Sequence, residues 1–316
     1  MSISEAEAVA GLRILVAIAK ADGTIHDDER AALTAALDGL KLPDGTTVDD
    51  LLAEPVDVER VLRAVASPAA RAEIYDSAYG MANADGRCTA EEKHLLVLLA
   101  KAWDLPERQT DLVARLFAET KDTVLPSHIQ PVADAASRAR EIREDVLKYS
   151  LLSALLGAFP IPGVAIATDL AVVALQVKMV RDIGQYHGHQ VDRESAKGLL
   201  YGLGLGTGAR MAVNNVVKLV PGWGSAFAAV TSFAATIALG KVMDRYFIDG
   251  GKADAAALKK DFAAAEKEGK AAYAEHKGGL DALAAREGGR LQQLGEDLKN
   301  GAISAEEYER DVAALG

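Results

Sequence analysis

Two stretches of this chain, Tyr149–Thr168 and Leu219–Gly240, carry no formally charged residue, and each contains a proline–glycine signal. Either is long enough to cross a bilayer, which takes about 20 apolar residues. Pro160-Ile161-Pro162-Gly163 divides the first, and Pro221-Gly222-Trp223-Gly224 stands near the start of the second. Proline removes an interior helical hydrogen bond and clashes with the preceding turn. Asp169 then falls within the apolar run after the first break. A carboxylate at mid-bilayer costs roughly 2.5 to 3.5 kcal/mol, whereas a well-placed Leu or Val returns only a few tenths. The pattern predicts helical hairpins packed closely together more than clean spanning helices.

Half of the residues are hydrophobic but only 5% are aromatic, and alanine and leucine supply much of the rest. Such side chains lose little rotamer freedom in a helix. Alternating β-branched runs, the mark of strands, are nearly absent. The expected class is all-α: an N-terminal helical bundle, a central glycine-rich apolar hairpin module, and a charged helical C-terminal tail. A net charge of -11 argues against a broad grip on nucleic acid. One cysteine, Cys88, excludes a disulfide framework and fits a reducing compartment. The first twenty residues are acidic before they are apolar and lack a basic segment, so no secretory signal is expected.

Composition sets the expected boundaries. Residues 1–122 are mixed and amphipathic, and residues 123–145 form a linker with two prolines followed by a charged connecting helix. Residues 146–250 are apolar and glycine-rich, and residues 251–316 are rich in Ala, Lys and Glu. Breaks are expected in the tail at Gly278-Gly279 and Gly288-Gly289.

The first region contains a repeat. Ala21-Asp22-Gly23-Thr24-Ile25 ending at Glu29 aligns with Ala84-Asp85-Gly86-Arg87-Cys88 ending at Glu92. Each copy lies between two apolar helical patterns, and the glycine suits a turn that needs positive φ. The spacing matches the second half of an EF-hand loop, with Asp at position 5, Gly at 6 and Glu at 12. Positions 1 and 3 are Ile18 and Lys20 in one copy and Met81 and Asn83 in the other, so each turn alone offers few oxygens. Two readings stand. Thr89 and Glu92 have the spacing of a capping box, in which Glu92 only satisfies backbone N–H groups. Alternatively, Asp22, Glu29, Asp85 and Glu92 pool their carboxylates for a divalent cation, Ca²⁺ or Mg²⁺.

These paired turns in a helical region of this size resemble the TerB-like family of tellurite-resistance and stress-related proteins. The resemblance implies a compact helical bundle that binds or senses, often fused to membrane-associated partners.

In the middle region Gly198, Gly202 and Gly206 recur at four-residue spacing, which lets two helices approach closely. Tyr201 to Ala209 is not a phosphate loop, because no strand precedes it and no Walker lysine follows. His187 and His189 lack a nearby third ligand and read as a solvated loop, and Asp169 reads as capped or at the edge of the apolar layer. The order Phe159-Pro-Ile-Pro-Gly163, an apolar helix with Asp169 and Gln176, Ala196 to Gly202, and Leu219-Val-Pro-Gly-Trp-Gly224 resembles the YcjF-like domain found beside Era-like GTPases. That resemblance implies a membrane-associated helical module with a nucleotide-hydrolysing or stress-response partner. No GxxxxGK(S/T) occurs in this chain.

The tail ends in a helix–turn–helix pattern: Gly301 closes one helix, and Ser304 to Glu307 is a capping box for the next. Leu298, Ile303, Tyr308, Val312 and Leu315 supply its apolar face. It resembles the SHOCT short C-terminal motif, which implies oligomerisation or docking.

No Ser/His/Asp set, Cys/His pair or metal-ligand spacing stands out. The expectation is a non-enzymatic scaffold or stress-response effector at the cytoplasmic face of the inner membrane. Membrane lipids, further copies of the chain, and a GTPase or stress-response protein are its expected partners, and nucleic acid is not. Pro160, Pro162, Gly163, Asp169, Gly198, Gly202, Gly206, Pro221, Gly222 and Gly224 are its expected packing or membrane positions. The alternative is a soluble helical oligomer or an adaptor for a partner GTPase.

Overall fold

In a computed structural model the chain is all-α, and every regular element among the described residues is a helix. The structure describes residues 4–21, 23, 30, 33–34, 37, 47–53, 55–83, 88–120, 122–159, 164–205, 212–213, 215–217 and 224–315. The chain forms two compact units.

The first unit comprises residues 1–121, 160–166 and 206–226. Its central helix is α1 (Glu5–Ala19), begun by a capping box in which Glu7 N donates to Ser4 Oγ and Ser4 N donates to Glu7 Oε2. The helix is apolar on nearly all sides, and Leu12, Ile14, Leu15, Val16 and Ile18 are each 2% exposed or less. It is surrounded by α2 (Val48–Ala53), α3 (Val58–Ala64), α4 (Pro68–Asn83) and α5 (Ala90–Ala102). Gly11 lets α4 come close: a Cβ there would lie 3.0 Å from Ile74 Cδ1. Trp103, which caps α5, donates its indole N–H to Leu62 O on α3 at 3.2 Å. The second Glu7 oxygen accepts from Ala66 N and Ser67 N, tying the start of α1 to the turn between α3 and α4. The last helix of the bundle, α6 (Glu107–Thr120), packs on α4.

The second unit comprises residues 122–159, 167–205 and 227–316. Its helices are α7 (Ala135–Ala158), α8 (Ala165–Tyr186), α9 (Arg193–Gly202), α10 (Gly224–Ile248), α11 (Ala255–Asn300) and α12 (Ala305–Ala313). Three glycines set how closely they approach. A Cβ at Gly157 of α7 would sit 2.7 Å from Ala228 O, one at Gly240 of α10 would overlap the Val146 methyls, and one at Gly269 of α11 would sit 2.9 Å from Ala234 Cα. Glycine therefore lets α7 and α11 meet α10 almost backbone to backbone.

The charged helix and the apolar segment after it are one helix, α7. The tail differs from the sequence expectation, because α11 runs unbroken through both Gly-Gly pairs. Each interior glycine costs about 1 kcal/mol of helix propensity, but Leu280, Leu283, Leu291 and Leu294 are buried around them, and a Cβ at Gly288 would sit 3.1 Å from the Phe159 ring. Tertiary packing overrides the local preference. The stretch read as a linker is an ordered strap within the second unit. Arg181 Nη1 donates to Leu125 O at 2.8 Å, Arg193 Nε to Thr123 O at 2.7 Å, and Ser127 Oγ to Gln185 Oε1 at 2.7 Å.

Candidate functional site

The strongest concentration of buried polar chemistry lies in the second unit, along the seam of α7, α8 and α10. Lys178, Asp182 and Tyr186 recur every four residues and so share one face of α8. They meet Tyr149 and Asp145, themselves four apart on α7. The Tyr149 hydroxyl donates to Asp182 Oδ2, and Lys178 Nζ donates to the same oxygen while standing 5.7 Å from the Tyr149 ring centre. Asp182 is 1% exposed, and its Oδ1 has no hydrogen-bond partner among the described residues. One turn on, the Tyr186 hydroxyl donates to Asp145 Oδ2 at 2.9 Å. Burial, before any neighbouring charge, lifts both phenols above the usual tyrosine range, so both stay protonated donors.

The seam continues onto α10. Gln176 Nε2 donates to Thr236 Oγ1 at 3.0 Å, and His187 Nε2 lies 2.7 Å from Asp244 Oδ1. The Phe247 ring stacks on both His187 and His189. These groups face one another, so chemically the seam fixes the register of three apolar helices. Each ion or phenol is bound by a neighbour in a setting where an unmade bond costs about 1 to 3 kcal/mol.

Beside it, the strap and the end of α8 enclose a groove of about 730 Å³ lined by Ser127, His128, Arg181, Gln185, His189 and Asp192, among others. Arg181 directs donors to Leu125 O and Val191 O, and Asp192 accepts from Ser195 N at the start of α9. The groove is polar, and its charged members largely hold its own walls.

A second buried acid group lies in the first unit. Asp76 of α4 is 3% exposed and accepts from Gln109 Nε2 of α6 at 2.6 Å. Burial, reinforced by neighbouring Glu73 and opposed by the Gln109 hydrogen bond, raises its pKa well above the ordinary aspartate value.

The sequence-derived positions separate. Glu92 Oε2 accepts from Thr89 N at 2.7 Å while Glu92 N donates to Thr89 Oγ1, which is the capping box. Asp22, Glu29 and Asp85 lie outside the described residues, as do Pro160, Pro162, Gly163, Gly206, Pro221 and Gly222. Among the described residues no cluster of three or more His, Cys, Asp or Glu could hold a metal. Asp169 is 8% exposed on α8, where its charge acts on Tyr308. Gly198 and Gly202 lie on α9, and, apart from their own helix's adjacent turns, no atom of the described residues comes within 4 Å of where their Cβ would be. Gly224 begins α10. Leu298, Tyr308 and Val312 are fully buried and Leu315 is 2% exposed, so the face assigned to oligomerisation is taken up inside the chain, with Ile303 half-buried.

Sequence reasoning did not find Tyr149, Asp145, Lys178 or Asp182. The available signal was the four-residue recurrence of polar groups on otherwise apolar helices.

No curated protein and no solved structure matches this chain. Residues 2–117 match the family model described as Protein of unknown function (DUF533), a TerB-like family, and the N-terminal region is similar to that family.

Proposed function

We propose that the chain is a non-enzymatic scaffold or stress-response effector in which a TerB-like binding or sensing region carries a prefolded helical module that works at the cytoplasmic face of a membrane. The observation that carries this reading is how the apolar middle is covered. Ala228, Phe233, Ala234, Ala238, Leu239 and Met243 of α10 are each at 0% exposure, packed among the chain's own helices. A module whose apolar surface is already satisfied can attach to lipid or protein without unfolding. The YcjF-like order of signals in residues 146–250 supports membrane attachment and a GTPase or stress-response partner. The SHOCT-like end supports docking or self-association.

One observation favours an integral reading. Ala226–Ile248 is the single stretch among the described residues long and apolar enough to cross a bilayer, with mean hydropathy 1.6, although 67% of its most apolar window is buried within the chain. The same burial favours the soluble reading, an oligomer or an adaptor for a GTPase.

Detergent-free purification followed by flotation with anionic liposomes separates these. The proposed function expects protein that is folded without detergent, floats, and is released by carbonate. Protein that needs detergent and resists carbonate would support the integral reading. Protein that never floats would remove the membrane from the proposal.

A further inference from the structure

The C-terminal helix α12 is joined to α11 through Gly301, whose left-handed backbone (φ 73°) ends α11. Its start is fixed independently by the Ser304–Glu307 capping box. Tyr308 and Val312 are 0% exposed, so one face of this nine-residue helix is wholly covered. That face also carries a defect. Tyr308 Oη and Glu309 Oε2 are buried with no hydrogen-bond partner among the described residues, and Glu309 is only 3% exposed.

The charges around Glu309 do not supply what an ionised carboxylate needs. Thr123 of the strap hydrogen-bonds the carboxyl, while Arg193 and Lys197 of α9 attract it and Glu306 of α12 repels it. Arg193 also donates to Thr123 O at 2.7 Å and Glu194 Oε1 at 2.9 Å, so its charge is shared. Burial disfavours the charged form of Lys197, and its charge is shared with Glu194 and Asp122. Asp169 of α8 adds negative charge next to Tyr308. A buried carboxylate with an unmet oxygen costs more than a buried neutral acid.

We propose that α12 is a releasable latch, seated while the Glu309 carboxyl is protonated and let go when it ionises. Burial raises this group to about 8 from an ordinary value of 4.5. Between those two values the seated form binds more protons than the released form. Seating is therefore strongest below the ordinary value and weakens as pH rises through the raised one. Release turns Tyr308, Val312 and Leu315 outward, the residues whose spacing reads as an association face.

The test is hydrogen exchange of α12 in the full chain between about pH 6 and about pH 8, corrected for the intrinsic pH dependence of exchange. In the wild type, α12 protection should fall by up to about tenfold per pH unit, while α7 and α8 keep theirs. Glu309→Gln, neutral at every pH, should hold α12 protection constant and near the low-pH wild-type level. Tyr308→Phe should raise protection and keep the wild-type slope. A flat or rising wild-type profile overturns the proposal. So does loss of α12 protection in Glu309→Gln, because that would mean the ionised carboxylate is what Lys197 and Arg193 hold.

Discussion

Tyr149 and Asp182 meet at 2.5 Å, and Lys178 reaches the same carboxylate oxygen at 2.6 Å, so one buried acid fastens α7 to α8. The two donors are not equivalent. Tyr149 is neutral and its loss removes one hydrogen bond, whereas Lys178 carries the charge that offsets a carboxylate exposed by only 1%. Tyr149→Phe should cost about 1 to 3 kcal/mol, and Lys178→Met about 3 to 5 kcal/mol because it strands a buried charge. Urea unfolding of both variants checks the order. A Lys178→Met midpoint equal to that of the wild type would contradict it.

Glycine positions should divide into two classes. Gly240→Ala forces a Cβ into the Val146 side chain and should destabilise by about 1 to 3 kcal/mol. Val146→Ala should recover part of that loss in the double variant, which is the signature of a shared contact. Gly198→Ala meets nothing among the described residues and gains up to about 1 kcal/mol of helix propensity. If Gly198→Ala instead dissociates an oligomer in light scattering, α9 packs against another chain.

Asp76 gives the first unit a pH dependence of one sign. Its pKa is raised by burial and by Glu73, so the folded chain holds a proton that the unfolded chain releases above the ordinary carboxylate value. Stability should fall as pH rises from about 4 toward neutrality. Asp76→Asn keeps an acceptor for Gln109 and removes that slope. Denaturant midpoints for the two proteins should converge in acid and separate, with the variant higher, at neutral pH.

Glu7 has the opposite sign. Backbone donation from Ser67, with Ser4 and Ala66 adding to it, lowers its pKa. Its contribution is complete above the ordinary glutamate value and is lost as pH falls through the lowered one. Glu7→Ala should cost about 1 kcal/mol at neutral pH, in the range of a lost cap, and little in strong acid. An equal cost at both pH values would indicate lost packing in place of lost hydrogen bonds.

The helix class, the Thr89–Glu92 and Ser304–Glu307 caps and the Gly301 stop were legible because each depends on residues within one or two turns. The continuity of α11 was not, since two Gly-Gly pairs read as breaks until Phe159 and buried leucines lie against them. The spacing of Gly198 and Gly202 marks a helix face but says nothing about what stands opposite it. The close approaches fall instead at Gly157, Gly240 and Gly269, each a solitary glycine in its run. Asp182 and Tyr149 are 33 residues apart, and no local rule pairs them. Tyr308 and Val312 show the same limit, because an apolar stripe has the same pattern whether its own chain or another covers it.

The contact between Gly240 and Val146 also bears on how such a chain can drift over generations. Neither site is free to change by itself: a side chain at 240 needs a smaller residue at 146 in place first, since the reverse order passes through an overfilled interface. The viable histories are thus ordered ones, and related sequences should show the two positions exchanging volume in step.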